Sequence, residues 1–141
     1  MVRVLALLLL FIAVPLASAD PIFFNVTLSC SVRKNWCITI RIYEADPFWQ
    51  NDLVEHMWYC SDKPSRNDYI GPKYQGNDGL FGGKWYEFGY DIQHSCSSNG
   101  VTRCINTREE TYAPIDGPSL IQYEVKLDDI GYEKICYPKF Y

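Results

Sequence analysis

Apolar and polar positions alternate along most of the chain, and no stretch holds a 3.6-residue period. Val26, Leu28 and Cys30 alternate with Asn25, Thr27 and Ser29, which puts one set on each face of a half-buried strand. The most regular run follows, with Ile38, Ile40 and Ile42 set against Cys37, Thr39, Arg41 and Tyr43, until Asp46-Pro47 breaks it. Leu53 to Cys60 resumes the pattern. Folding it back antiparallel with Tyr43 opposite Val54 places Arg41 opposite His56, Thr39 opposite Trp58 and Cys37 opposite Cys60. Opposed residues have Cβ atoms about 4.5–5.5 Å apart, which local twist can bring into disulfide range, so this register predicts a Cys37–Cys60 bridge. Tyr86, Phe88, Tyr90, Ile92 and His94 share one phase against Glu87, Gly89, Asp91 and Gln93; Ile121, Tyr123, Val125 and Leu127 share another against Gln122, Glu124 and Lys126.

Between these runs, Ser61 to Gly79 is rich in turn formers, including Lys63-Pro64-Ser65 and Asn77-Asp78-Gly79, and is predicted to be a long loop. Cys96 and Cys104 enclose seven residues that contain Ser97-Ser98-Asn99-Gly100, a turn that would let a local bridge staple a hairpin. Pro114 to Pro118 makes a further break, and Cys136 anchors the tail. About seven short strands in one unit would leave an apolar face wet as a single sheet, so the expectation is an all-β, disulfide-stapled sandwich of two antiparallel sheets.

The first residues carry a different signal. Arg3, the apolar run Val4 to Leu16 and the small residues Ala17-Ser18-Ala19 read as a secretory signal peptide over 1–19, leaving one domain over 20–141. The apolar run is shorter than the roughly 20 residues that cross a bilayer, and no transmembrane segment is expected. Loss of Arg3 leaves 12 of the 13 basic side chains against all 17 acidic ones, a formal charge of −5. That balance excludes nucleic acid as the expected partner and offers no polybasic stretch for an anionic membrane. Six cysteines, Cys30, Cys37, Cys60, Cys96, Cys104 and Cys136, form an even set in an exported chain and predict three disulfides. Asn25-Val26-Thr27 is a glycosylation acceptor on the polar phase of the first strand, so a glycan on Asn25 would project to solvent.

Several of these features together resemble the transthyretin-like family of secreted nematode proteins. They are Leu28-Ser29-Cys30, Ile40-Arg41-Ile42-Tyr43-Glu44, Asp52-Leu53, Gly79-Leu80-Phe81, Tyr90 to Cys96 with its His-x-Cys ending, and Ile121 to Leu127 followed by Cys136. The resemblance spans nearly the whole mature chain through sparse positions. It implies a transthyretin-type (prealbumin-type) sandwich with Cys30, Cys96, Cys104 and Cys136 as the family set, for which spacing favours Cys96–Cys104 and Cys30–Cys136. The chain departs from the family at Ser31 to Asn35, where a glycine and a Lys-Pro motif are usual, in the longer Ser61 to Gly79 loop, and in the additional pair Cys37 and Cys60. The implied role is an extracellular ligand, bridging or signalling factor; recognition of phosphatidylserine is one implied option, which a charge of −5 would need calcium to support.

Chemistry is weighed against structure at each remaining candidate. A related branch of the transthyretin fold hydrolyses 5-hydroxyisourate with a terminal Tyr-Arg-Gly-Ser, whereas this chain ends Tyr137-Pro138-Lys139-Phe140-Tyr141. His56 and His94 lack metal-ligand spacing; His94 falls in an apolar phase as a core imidazole, and His56 falls on a sheet surface beside Arg41. Asp52, Glu109-Glu110 and Asp128-Asp129 read as solvated turn acids, and no calcium-loop pattern is present. No enzyme activity, cofactor or metal is expected. The aromatic load is large, and Phe48, Trp49, Tyr69 and Tyr74 are candidate surface contacts for an extracellular protein or lipid ligand. Exposed strand edges would also allow a homodimer. The rival reading is a disulfide-rich inhibitor of secreted hydrolases that inserts the 61–79 loop.

Overall fold

A computed structural model describes residues 21–46, 51–73, 83–107 and 110–136. Phe48, Trp49, Tyr74, Glu109, Asn77-Asp78-Gly79, residues 1–19 read as a signal peptide, and the tail 137–141 lie outside these residues. Among the described residues the chain forms β1 (Ile22–Ser29), β2 (Trp36–Glu44), β3 (Asp52–Ser61), β4 (Ser65–Lys73), β5 (Trp85–His94), β6 (Arg103–Asn106), β7 (Thr111–Pro114) and β8 (Ser119–Lys126). A three-stranded sheet has the order β4-β1-β8, and a larger sheet has the order β3-β2-β5-β6, with β7 also pairing β5. β6 pairs the Asp91–His94 half of β5 and β7 the Trp85–Phe88 half.

The alternation seen in the sequence becomes the packing. Ile22, Phe24, Val26 and Leu28 of β1 and Trp36, Ile38, Ile40 and Ile42 of β2 are at most 1% exposed. These two rows meet between the sheets in one hydrophobic cluster with Phe88, Ile92, Ile121 and Tyr123. Phe24 of the small sheet meets Phe88 of the large one edge-on, with ring centroids 5.2 Å apart, and Tyr90 meets Tyr123 at 4.7 Å. Trp36 is fully buried because its indole also has a polar partner, donating Nε1–H to the Lys63 carbonyl at 2.8 Å.

The β2–β3 register is as expected at Arg41–His56, Thr39–Trp58 and Cys37–Cys60, and the Cys37–Cys60 bridge is formed. A bulge between Ile42 and Tyr43 then moves Tyr43 opposite Leu53 in place of Val54. Three other expectations are corrected. The sheets are not wholly antiparallel, since β1 and β8 run parallel from Ile22–Ser119 to Ser29–Lys126. The 61–79 stretch is not one loop: Ser65–Lys73 is a strand bonded along β1. Its composition hid it because it is an edge strand whose inner positions Arg66 and Asp68 pair with each other at 2.8 Å, while the Arg66 guanidinium lies 3.8 Å over the Tyr59 ring.

The remaining bridges are Cys30–Cys96 and Cys104–Cys136, not Cys96–Cys104 and Cys30–Cys136. The reason is strand phase. Cys104 pairs opposite Gln93 on the outer face of the large sheet, whereas Cys96 continues the inner phase of Ile92 and His94. Cys30 continues the inner phase of Val26 and Leu28 in the other sheet, so Cys30 and Cys96 meet across the interior and are at most 1% exposed. Cys136 reaches Cys104 because the closing segment adds to the edge of β6, where Tyr132 and Cys104 exchange backbone hydrogen bonds of 2.8 and 2.9 Å.

Asp128 clasps the same end of the sandwich. It accepts hydrogen bonds from the Ser31 amide at 2.6 Å and from the Ser31 hydroxyl, and it faces Lys126 Nζ at 3.3 Å. The Ser31 hydroxyl and amide, aided by Lys126, hold its carboxyl down to about 2. A depressed carboxyl contributes stability that is complete above the unfolded value near 4 and is lost as pH falls toward 2. Asp128→Ala is expected to cost about 1–2 kcal/mol at neutral pH by loss of these bonds. Urea melts at pH 7 and pH 3 check this, because the variant's deficit should shrink at the lower pH.

Candidate functional site

On the outer face of the small sheet, β1 is the central strand, so a side chain projecting from it stands between two flanking rows. Asn25 lies opposite Tyr69 of β4 and opposite Gln122 of β8. Phe23, two residues back on the same face, stacks on Tyr69 with ring centroids 5.9 Å apart and an interplanar angle of 22°. Tyr69 is nevertheless 65% exposed. Gly71 makes this ring placement fit: its φ is 139°, and a Cβ there would lie 2.7 Å from Phe23 Cδ1. Beside the aromatic pair, Asn67 Nδ2 donates to Asn25 Oδ1 and to Thr27 Oγ1, each at 2.7 Å. The face thus combines two stacked rings with a cluster of amides and a hydroxyl.

The outer face of the large sheet is built differently. Arg41 and Asp91 lie opposite each other on β2 and β5, with guanidinium nitrogens 2.8 Å from Asp91 Oδ1. Arg41 also donates to the Cys136 carbonyl at 3.2 Å, so the closing segment covers the pair and leaves Asp91 with no exposed surface. Tyr43 lies against Gly89, where a Cβ would come within 2.6 Å of the ring. Trp58, farther along this face on the edge strand β3, is 70% exposed.

Where the sandwich opens between β7 and β8 there is a groove of about 350 Å³, lined in part by Tyr112, Pro114, Leu120 and Gln122. Tyr112 is 57% and Leu120 52% exposed.

The two histidines do not converge. His56 is exposed on the outer face, opposite Arg41, and His94 is 1% exposed on the inner side of the same sheet. His94 Nε2 lies 2.9 Å from the Ile130 carbonyl, which is the backbone-bonded core imidazole that its phase predicts. Burial pushes its pKa down, with Arg103 adding to the effect against the opposing Ile130 carbonyl and Asp129. A folded-state pKa below the unfolded value near 6.5 means that the unfolded chain takes up the proton first. Stability is therefore expected to fall as pH drops below about 6.5, and His94→Phe should flatten that slope. Chemical denaturation between pH 5 and 8 reads it; an unchanged slope in the variant would assign the dependence elsewhere.

Glu44, Asp46 and Asp52 gather at the open end of β2 and β3 with carboxylate oxygens within 4.8 Å of one another, an arrangement that cation ligands could adopt. Asp52 was legible as an exposed acid, but its two neighbours come together only through the β2–β3 pairing. Asp128 lies similarly close to Cys30 and Cys96, whose sulfurs are consumed in their bridge and supply no thiolate. Of the candidate surface contacts Phe48, Trp49, Tyr69 and Tyr74, Tyr69 alone falls among the described residues, beside Phe23 and Asn67, whose part the alternation did not signal.

No curated protein and no solved structure matches the chain. A family model does, that of the Caenorhabditis elegans proteins of unknown function (DUF870), over residues 25–139. That span runs from Asn25 within β1 through β8 to beyond Cys136, and the chain belongs to this nematode family.

Proposed function

We propose that the protein is a secreted, non-enzymatic binding protein on a transthyretin-type sandwich, an extracellular ligand, bridging or signalling factor whose partner is a protein or lipid. Three features support this reading. All six cysteines are bridged, as suits an oxidising compartment. The two histidines stand on opposite sides of one sheet, which does not suit acid–base chemistry between them. The observation that carries the binding role is the β7–β8 groove, whose lining includes the half-exposed Tyr112 and Leu120. The hydrolase-inhibitor reading drew on a free 61–79 loop, of which Ser65–Lys73 is instead bonded into the small sheet as β4.

The test uses the labelled mature protein, starting at Asp20, on nematode cell surfaces. Saturable binding that unlabelled protein displaces and Tyr112→Ser weakens several-fold is the expected result. Absence of saturable binding would overturn the reading, and inhibition in a panel of secreted proteases would replace it. Vesicles of phosphatidylserine and of phosphatidylcholine, each with and without calcium, separate a lipid partner from a protein one. Sedimentation velocity decides whether the binding unit is a homodimer.

A further inference from the structure

We propose that Asn25 carries an N-linked glycan whose first sugar lies on the outer face of the small sheet, stacked on Phe23 and Tyr69. This rests on the export reading above, because the modification takes place in the secretory lumen. In that reaction the Asn25 Nδ2 forms a bond to C1 of the first N-acetylglucosamine of a lipid-pyrophosphate-linked oligosaccharide. The bond from C1 to the pyrophosphate oxygen breaks, the lipid pyrophosphate leaves with the electron pair, and the amide loses one proton. Asn25-Val26-Thr27 supplies the acceptor sequence.

The folded geometry says where the sugar goes. Asn67 engages the acceptor through Asn25 Oδ1, at 2.7 Å, which leaves Nδ2 on the other branch of the amide for the sugar and restrains rotation of the side chain. Because β1 is central, a sugar on Asn25 has Tyr69 on one side and Gln122 on the other, with Phe23 and Thr27 before and after it along the strand. A pyranose has a face of C–H bonds and a rim of hydroxyls. The Phe23–Tyr69 stack offers the aromatic surface that C–H bonds favour, and the amides of Asn67 and Gln122 offer partners for the rim. The arrangement also accounts for a tyrosine left 65% exposed beside the acceptor.

The experiment expresses the full chain in a glycosylating eukaryotic cell, beside a second version with an unrelated cleavable leader ahead of Asp20. Intact mass before and after amidase removal of N-glycans reads occupancy, and conversion of Asn25 to aspartate marks the site. Trimming to a single N-acetylglucosamine should leave Tm unchanged, whereas complete removal should lower it by several degrees. In Tyr69→Ser and Phe23→Ser that difference should shrink to near zero. Unmodified Asn25 after passage through the lumen under the unrelated leader overturns the proposal and leaves export standing. Export under that leader alone overturns the reading of residues 1–19 and leaves the glycan testable. A modified Asn25 with the same Tm loss in the Tyr69→Ser and Phe23→Ser proteins would place the sugar in solvent and overturn the stacking.

Discussion

Replacing Cys30 and Cys96 together by serine is expected to lower stability by about 4 kcal/mol, the largest loss from any of the three bridges. The two cysteines are 66 residues apart in sequence, so their bond restricts the unfolded chain more than Cys37–Cys60, separated by 23, or Cys104–Cys136, separated by 32. In the chain-entropy account the cost of opening a bridge grows with the logarithm of loop length, and the Cys37–Cys60 double variant should lose about 3 kcal/mol. Their locations point the same way. Cys37–Cys60 ties β2 to β3, two strands already hydrogen-bonded along their length, whereas Cys30–Cys96 joins the end of β1 to the chain leaving β5 and so holds one sheet on the other. Guanidinium unfolding of both double variants under non-reducing conditions measures the order. Equal losses would show that loop length is not the source. Peptide mapping of the unreduced protein should recover Cys30 with Cys96 and Cys104 with Cys136, and no fragment joining Cys96 to Cys104.

Arg41→Met is expected to cost about 3–5 kcal/mol, because it strips the guanidinium from a carboxylate that has no exposed surface. Both Nε and a terminal nitrogen of Arg41 approach Asp91 Oδ1 at 2.8 Å, a contact that a single ammonium cannot reproduce. Arg41→Lys should therefore recover part of the loss and no more. The double change Arg41→Met with Asp91→Leu removes both charges and should lie well above Arg41→Met alone in stability. Arg41→Met also releases the Cys136 carbonyl, so faster amide exchange in the closing segment is expected at Tyr132 to Cys136. A loss under about 1 kcal/mol would place the pair in the class of solvent-screened surface bridges.

Strand phase was legible because a half-buried strand writes its two environments into alternate residues. Ile38, Ile40 and Ile42, or Phe88 and Ile92, could face nothing but an interior. The β2–β3 register followed from the same alternation, and it slipped at Tyr43 because a bulge adds a residue without leaving a mark in hydrophobicity. β4 stayed hidden because an edge strand that caps its inner side with an Arg66–Asp68 pair has the composition of a loop. β6 and β7, four residues each, are too short to show a period.

The candidate site divides along the same line. Asn25 and Tyr69 were each visible as residue types, but their pairing depends on β4 lying beside β1, and Phe23 and Asn67 gain their roles from that neighbour. The cysteines show most plainly what each level determines. Their even number, and the strand faces on which Cys30 and Cys96 fall, are properties of the chain, since side-chain direction alternates with sequence wherever a strand forms. Which cysteine meets which was decided by the stacking of one sheet on the other: contacts that close loops of 66 and 32 residues arise when whole faces pack, and local spacing carries no record of the face across the core.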